Sequence, residues 1–131
     1  MQKKVIMIIN RKSDVYVYIA GKYTDDTAFQ VEQHILAAKR IAVECANRSI
    51  KFFCPHTHTA HFDIYSQNKS WQYYMDLCMP ILHNVCNAIV MVANWEDSVG
   101  AKYELAAAQN IGHMRFLSPE EFFKWYETLP D

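Results

Sequence analysis

Apolar and polar residues repeat along the chain with two different periods, which separates strands from helices. Residues 14–20 are rich in β-branched and aromatic side chains and stop at Gly21, which is typical of a buried strand. In residues 27–48 the apolar positions instead recur at helical spacing, at Val31, Ile35, Ala38, Ala42 and Cys45. The chain is therefore predicted to open with a strand and an amphipathic helix.

The same change of period recurs along the rest of the chain. Three further strands are predicted, at residues 50–54, 87–94 and 114–117. Three further helices are predicted, at residues 70–84, at residues 98–110 and from Ser118 onwards. The polar residues 56–69 are interpreted as an irregular loop, and Pro80 is expected to kink its helix.

The alternating order of strands and helices predicts the fold class. It favours a three-layer, doubly wound α/β fold with a mostly parallel sheet, Rossmann- or flavodoxin-like, over a single domain of residues 1–131. Residues 3–10 are a candidate fifth strand. Ligands bind beyond the carboxyl ends of such strands, which points to four loops. These are residues 21–26, 55–69 and 94–100 and the stretch after Leu117.

Composition indicates which partners and which cellular compartment to expect. The net charge of −1 argues against a dedicated nucleic-acid binder, which normally has a basic face. No stretch approaches the ~18 apolar residues of a membrane span, and the first apolar run is too short for a signal peptide. The 4 cysteines include no CxxC pair and are expected to be reduced, packed thiols. We therefore expect a cytoplasmic protein with no membrane or nucleic-acid partner.

Two of the loops carry candidate ligand-binding residues. Gly21 would let the backbone approach a ligand closely, and Lys22 could hold an anion such as a phosphate, although any strand–helix loop can carry such a pair. Gly100 and Glu104 are four residues apart and share a helix face. If that face looks into the cleft, Glu104 is a carboxylate on its floor; an exposed helical glutamate is the competing interpretation. Ser98 could cap this helix.

Other polar residues leave alternatives open. Asp76 lies in an aromatic-rich helix, where it could orient a sugar hydroxyl or face solvent. The histidines of residues 56–61 suggest a metal site, but neither a cysteine pair nor an HExxH motif accompanies them. We expect no metal and no cofactor, and interpret His56 as lining the ligand cleft.

Several of these fragments, in this order, resemble the nucleoside 2-deoxyribosyltransferase-like superfamily, which includes 2'-deoxynucleoside 5'-phosphate N-hydrolases and small bacterial and phage proteins. The resemblance covers residues 14–117. Its most specific part is Ser98-x-Gly100-x-x-Tyr103-Glu104 with Asp76-Leu77 upstream. The other matching fragments are Tyr18-Ile19-Ala20-Gly21, Cys54-Pro55-His56 and Asn94-Trp95.

The resemblance implies an enzyme that cleaves an N-glycosidic bond by hydrolysis or base exchange. It implies that Glu104 attacks C1' or supports water, that Tyr18 lies beside it, and that Asp76 contacts the sugar. It also implies that Ser98 and the Gly21 loop contact a 5'-phosphate. A carboxylate below C1' would stabilise the oxocarbenium-like transition state. The acid that assists the leaving base is not assigned; Asp97 and His56 are candidates by position.

The expected partner is a small nucleoside or nucleotide, with a homodimer or higher homo-oligomer completing the site. Ser98 and Lys22 favour a phosphorylated substrate and hydrolysis over transfer. A non-catalytic module that binds a nucleotide or nucleotide-derived signal is the main alternative. A flavodoxin-like redox protein is a third hypothesis, although no Ser- and Thr-rich phosphate loop is present.

Overall fold

A computed structural model describes residues 8–131 of the protein. Within that range four parallel strands form one sheet: β1 (Tyr16–Ala20), β2 (Lys51–Phe53), β3 (Ala88–Met91) and β4 (Met114–Phe116). Their spatial order is β2-β1-β3-β4, so β1 and β3 lie at the centre. This confirms the predicted three-layer, Rossmann- or flavodoxin-like α/β fold.

Helices follow the strands as the periodicity predicted. In chain order they are α1 (Ala28–Asn47), α2 (Pro55–His58), α3 (Phe62–Tyr65), α4 (Trp71–Asn84), α5 (Val99–Asn110) and α6 (Pro119–Glu127). The five residues predicted to form the apolar stripe of α1 are all buried. Hydroxyl side chains cap α1, α4, α5 and α6, where Thr27, Ser70, Ser98 and Ser118 accept backbone hydrogen bonds.

Alternate side chains of β1 face opposite layers, which sets the position of the site. Val17 and Ile19 point to a core built with α1 and α6. Tyr18 and Ala20 point the other way, to a core built with α4 and α5. A polar group on the second face of β1 therefore meets whatever α5 presents to the sheet.

Of three expectations about local structure, one needs correction, one stays a prediction and one falls mostly outside the described range. Residues 56–69 are not a uniformly irregular loop, because they contain most of α2 and all of α3. Pro80 lies inside α4, which continues through it to Asn84, and the kink expected there stays a prediction. The fifth strand was predicted at residues 3–10; residues 3–7 lie outside the described range, and residues 8–10 form no strand.

The amino ends of the strands are held together by one buried side chain. Asn87 accepts a hydrogen bond from the Tyr16 backbone N–H at 2.9 Å and donates one to the Asp14 carbonyl at 2.6 Å.

The thiols of the 4 cysteines are all buried. No helix within residues 8–131 is long and apolar enough to cross a membrane.

Candidate functional site

A cavity of about 650 Å³ opens at the carboxyl ends of β1, β2 and β3. Three of the four loops predicted from strand order line it, together with one face of α4. The fourth loop does not: residues 117–120 line a separate depression beside Arg40 and Val92. The reason is that the chain after β4 passes into α6, which packs on the opposite face of the sheet.

Glu104 lies on the floor of this cavity. It projects from the second turn of α5, lines the cavity, and is only 5% exposed. Burial raises the pKa of its carboxyl group to about 7, because a charge there is poorly solvated. The interpretation of Glu104 as an ordinary exposed glutamate is therefore wrong.

Tyr18 supplies the hydrogen bond that reaches this carboxyl group. Its side chain is fully buried under the cavity, and its hydroxyl donates to Oε2 of Glu104. Burial, followed by the negative charge of Glu104, raises the pKa of the Tyr18 hydroxyl, so it stays a donor. This bond opposes burial by lowering the pKa of Glu104. The two residues are thus neighbours, as the resemblance implies, and their catalytic roles stay predictions.

The start of α5 places three predicted residues on the cavity wall. Asp97 is exposed and lines the cavity just before the helix. Ser98 lines it too, and its hydroxyl caps α5 by accepting from the Ala101 N–H at 3.1 Å. Gly100 lies one turn before Glu104, where an added Cβ would come within 3.4 Å of the Trp71 indole nitrogen. The glycine therefore leaves room for α4 beside the cavity.

The loop after β1 requires its glycine. An added Cβ at Gly21 would lie 2.7 Å from Cβ of Val92, which is buried and bonded through its N–H to the Ala20 carbonyl. No side chain fits there without displacing Val92, which directly follows β3. Lys22 follows at the cavity edge, where its ammonium group lies 3.5 Å from the carboxylate of Asp25. A cationic group is thus available to an anionic ligand.

His56 lies in α2 and is 4% exposed, although it lines the cavity. Its Nε2 atom lies 2.8 Å from the Lys22 carbonyl oxygen, which links the loops after β1 and β2. Its Nδ1 atom is buried with no hydrogen-bond partner among the described residues. Burial lowers the pKa of the ring, which keeps it neutral.

Asp76, which the resemblance places at the sugar, lies outside the cavity. Asp76 is exposed, does not line the cavity, and accepts a hydrogen bond from Gln72 at 2.7 Å. The cavity face of α4 instead follows the helical period through Trp71, Tyr74, Met75 and Cys78. Asp76 is one residue beyond Met75, about 100° further round the helix, so it points towards solvent.

Sequence reasoning pointed to the loop of residues 55–69 but named no lining residue within residues 59–69. The Tyr23 hydroxyl donates to Asp63 at 2.7 Å and accepts from the His61 N–H at 2.9 Å. Lys69 donates to the Asp63 carbonyl, and Tyr23, Asp63 and Lys69 all line the cavity. The position of Tyr23 beside Gly21 was a usable signal. Nothing in the spacing of residues 59–69 indicated that α3 folds back over the cavity.

The histidines of residues 56–61 are not gathered around a common point. His61 pairs with Glu32 at 2.6 Å, whereas the His58 ring packs on Phe53 with centroids 5.2 Å apart. Across residues 8–131, no group of three or more His, Cys, Asp or Glu side chains could hold a metal ion.

Residues 15–115 match the family described as "Domain of unknown function (DUF4406)". The matched segment runs from β1 into β4 and contains the described sheet except for Phe116, the last residue of β4. The chain therefore belongs to this family. No curated protein matches the chain.

Proposed function

We propose that this DUF4406 member cleaves the N-glycosidic bond of a nucleoside, or of its 5'-monophosphate, with Glu104 acting at C1' of the sugar. One observation carries the proposal: a glutamate that is 5% exposed lies on the floor of a cavity of about 650 Å³. A buried acid in a cleft, with a shifted pKa and a specific hydrogen-bond partner, is typical of a catalytic group. Its hydrogen-bond partner is the neutral hydroxyl of Tyr18 and not a cationic side chain.

The chemistry suits a carboxylate held in this way. As the bond from C1' to the base breaks, the base takes the bonding electrons and positive charge develops on the sugar. An ionised Glu104 either attacks C1' or supports the attack of water, and its negative charge stabilises that transition state. Tyr18 is the positioning residue, because its hydroxyl fixes one carboxylate oxygen.

The walls of the cavity support a nucleotide-sized ligand. Phe62, Trp71 and Tyr74 offer aromatic surface against which a base can stack. Ser98 at the start of α5, with Lys22, offers donors and a positive charge for a phosphate. We propose hydrolysis of a 5'-monophosphate on this basis, with base exchange as the other outcome of the same chemistry.

The test is a base-release assay with a panel of nucleosides, 2'-deoxynucleosides and their 5'-monophosphates. Free base is measured by liquid chromatography for the wild type, for Glu104→Gln and for the matched control Glu96→Gln. Glu96 is exposed in the turn before α5 and does not line the cavity. We expect release in the wild type and in Glu96→Gln, and a loss of roughly 10³-fold in Glu104→Gln.

Binding of a nucleotide without release of base would instead favour the non-catalytic binding module. Release that persists at the wild-type rate in Glu104→Gln would remove Glu104 from the mechanism. A second base added to the assay separates the two reaction types, because a transferase forms a new nucleoside and a hydrolase forms free sugar phosphate.

We also propose a homodimer or higher homo-oligomer, and a cytoplasmic location. Trp71, Tyr73 and Tyr103 are each about half exposed, and Trp71 also lines the cavity, so a second copy could cover this aromatic surface. Light scattering coupled to gel filtration tests the assembly: Tyr73→Glu should shift the mass towards the monomer. The buried thiols fit a reducing compartment.

A further inference from the structure

The geometry around His56 fixes which of its ring nitrogens carries hydrogen. Nε2 lies 2.8 Å from the Lys22 carbonyl oxygen, and a carbonyl oxygen can only accept a hydrogen bond. Nε2 therefore carries the hydrogen and donates. In a neutral imidazole the other nitrogen, Nδ1, is then a lone-pair acceptor.

That acceptor has no partner among residues 8–131. Nδ1 of His56 is the one buried side-chain nitrogen or oxygen atom in the described residues that makes no hydrogen bond. Buried polar atoms are normally paired, because an unpaired one keeps the full cost of losing its contact with water. His56 also lines the cavity, so a ligand bound there is the candidate partner for this buried nitrogen.

The atoms that orient the ring are themselves held in place. Lys22 follows Gly21, whose backbone is packed so tightly against Val92 that an added Cβ would lie 2.7 Å away. The ring of Tyr23 packs on the other side of the imidazole, with centroids 5.6 Å apart. The ring therefore cannot turn to exchange its nitrogens without losing its bond to the Lys22 carbonyl.

We propose that Nδ1 of His56 accepts a hydrogen bond from a neutral donor group of the bound ligand and selects ligands that carry this donor. The donor is a sugar hydroxyl or an exocyclic amino group of the base. That the ligand is a nucleotide rests on the proposed function; the direction of the hydrogen bond does not. His56 is then a specificity residue and, with Nδ1 unprotonated, does not act as the acid for the leaving base.

The first test is the tautomer of the unliganded protein, by nitrogen-15 NMR of the histidine side chains. His56→Gln identifies the His56 signals by their loss. We expect a protonated Nε2 and an unprotonated Nδ1 at neutral pH. A proton found on Nδ1 overturns the proposal without any reference to catalysis.

The second test is binding, measured by calorimetry in the Glu104→Gln protein so that the ligands stay intact. The probes are 2'-deoxyadenosine 5'-monophosphate, its 3'-deoxy-3'-fluoro analogue and its analogue without the 6-amino group. One analogue should bind roughly tenfold more weakly than the parent, as expected for one lost hydrogen bond. The analogue that loses affinity identifies the donor as hydroxyl or amine.

Two further variants show whether His56 causes that difference. In His56→Gln the side-chain amide can still donate to the Lys22 carbonyl but offers no acceptor at the Nδ1 position, so parent and analogue should bind about equally. His58→Gln, on the exposed side of α2, should keep the roughly tenfold difference. An unchanged difference in His56→Gln, equal binding of all probes in the parent protein, or no binding of any probe overturns the proposal. An absence of base release leaves these results unaffected and counts only against the proposed function.

Discussion

Buried polar side chains at the two ends of the sheet differ in how far the protein satisfies their hydrogen bonds. At the amino end Asn87 uses both its amide oxygen and its amide nitrogen on backbone groups, and Nε2 of His113 donates to the Leu82 carbonyl at 2.7 Å. At the carboxyl end, the carboxyl group of Glu104 accepts a hydrogen bond from Tyr18, and His56 keeps a nitrogen without a partner among the described residues. These are the four polar or charged residues that are buried within residues 8–131.

The difference separates structural polar groups from those kept for a ligand. Asn87 ties the amino ends of the strands together and has its hydrogen bonds satisfied by the protein. Glu104 and His56 are buried at a cost in free energy that the protein itself does not fully offset. Residues whose local environment is unfavourable in this way are common at active sites, where a substrate supplies the missing interactions.

The largest effect is expected at the amino end. Asn87→Leu removes both hydrogen bonds and leaves the Tyr16 N–H and the Asp14 carbonyl without their partner, so the free energy of unfolding should fall by about 3 kcal/mol. Urea denaturation measures this. Nucleotide binding by the folded fraction should not change, and a loss of affinity there would break the proposed division between the two ends.

At the carboxyl end, replacing the buried polar side chain is expected to raise the free energy of unfolding and not to lower it. The pKa of Glu104 is raised in the folded state to about 7, from its ordinary 4.5. Between pH 4.5 and pH 7 the carboxyl group is therefore protonated in the folded state and ionised in the unfolded state. The free energy of unfolding should therefore fall as the pH rises from 4.5 to 7. Glu104→Gln should remove this slope and stabilise the protein by about 3 kcal/mol at pH 8. Denaturation curves at several pH values test this; a destabilised variant at pH 8 would contradict it.

A smaller change tests the role of Tyr18. Tyr18→Phe removes the hydrogen bond that lowers the pKa of Glu104, so this pKa should rise further above 7, by about one unit, or about 1.4 kcal/mol. The pH at which base release is half-maximal should move up by the same amount. A profile that does not move would show that the hydroxyl leaves the carboxyl group unaffected.

The smallest predicted effects distinguish a helix-capping role of Ser98 from a ligand-binding role. Ser98 and Ser118 both cap helices, so Ser98→Ala and Ser118→Ala should each lower the free energy of unfolding by about 1 kcal/mol. Only Ser98 lines the cavity at Glu104. Ser98→Ala alone should raise KM for a 5'-monophosphate, by roughly tenfold, with little effect on the nucleoside. Equal effects on both substrates would exclude a phosphate contact.

The sequence predicted the elements well because their signals are local. The stripe of α1 follows from helical periodicity, and the serine caps of α5 and α6 from short-range hydrogen bonding. Three of the four predicted loops converge on the cavity because strand order determines where the carboxyl ends lie.

The site was less predictable because it depends on long-range packing. Periodicity shows which residues share a helix face, but not which face of α4 meets the cavity. Aromatic residues lie on several sides of α4, so the sequence did not show that Asp76 falls outside the cavity-facing set. The contact of Tyr18 with Glu104 joins residues 86 positions apart, and only the docking of α5 against β1 creates it. Residues 59–69 carried no periodic signal.

The most direct measurement of the central claim is the pH dependence of kcat/KM for base release, which reports the ionisation of the free enzyme. Since Glu104 must be ionised to act at C1', kcat/KM should rise with pH, reach half its limit near pH 7 and then level off. The same profile in Glu104→Gln should be reduced roughly 10³-fold and lack this inflection. A wild-type profile without an inflection near pH 7, or one that Glu104→Gln reproduces, would contradict the assignment of Glu104 as the reacting carboxylate.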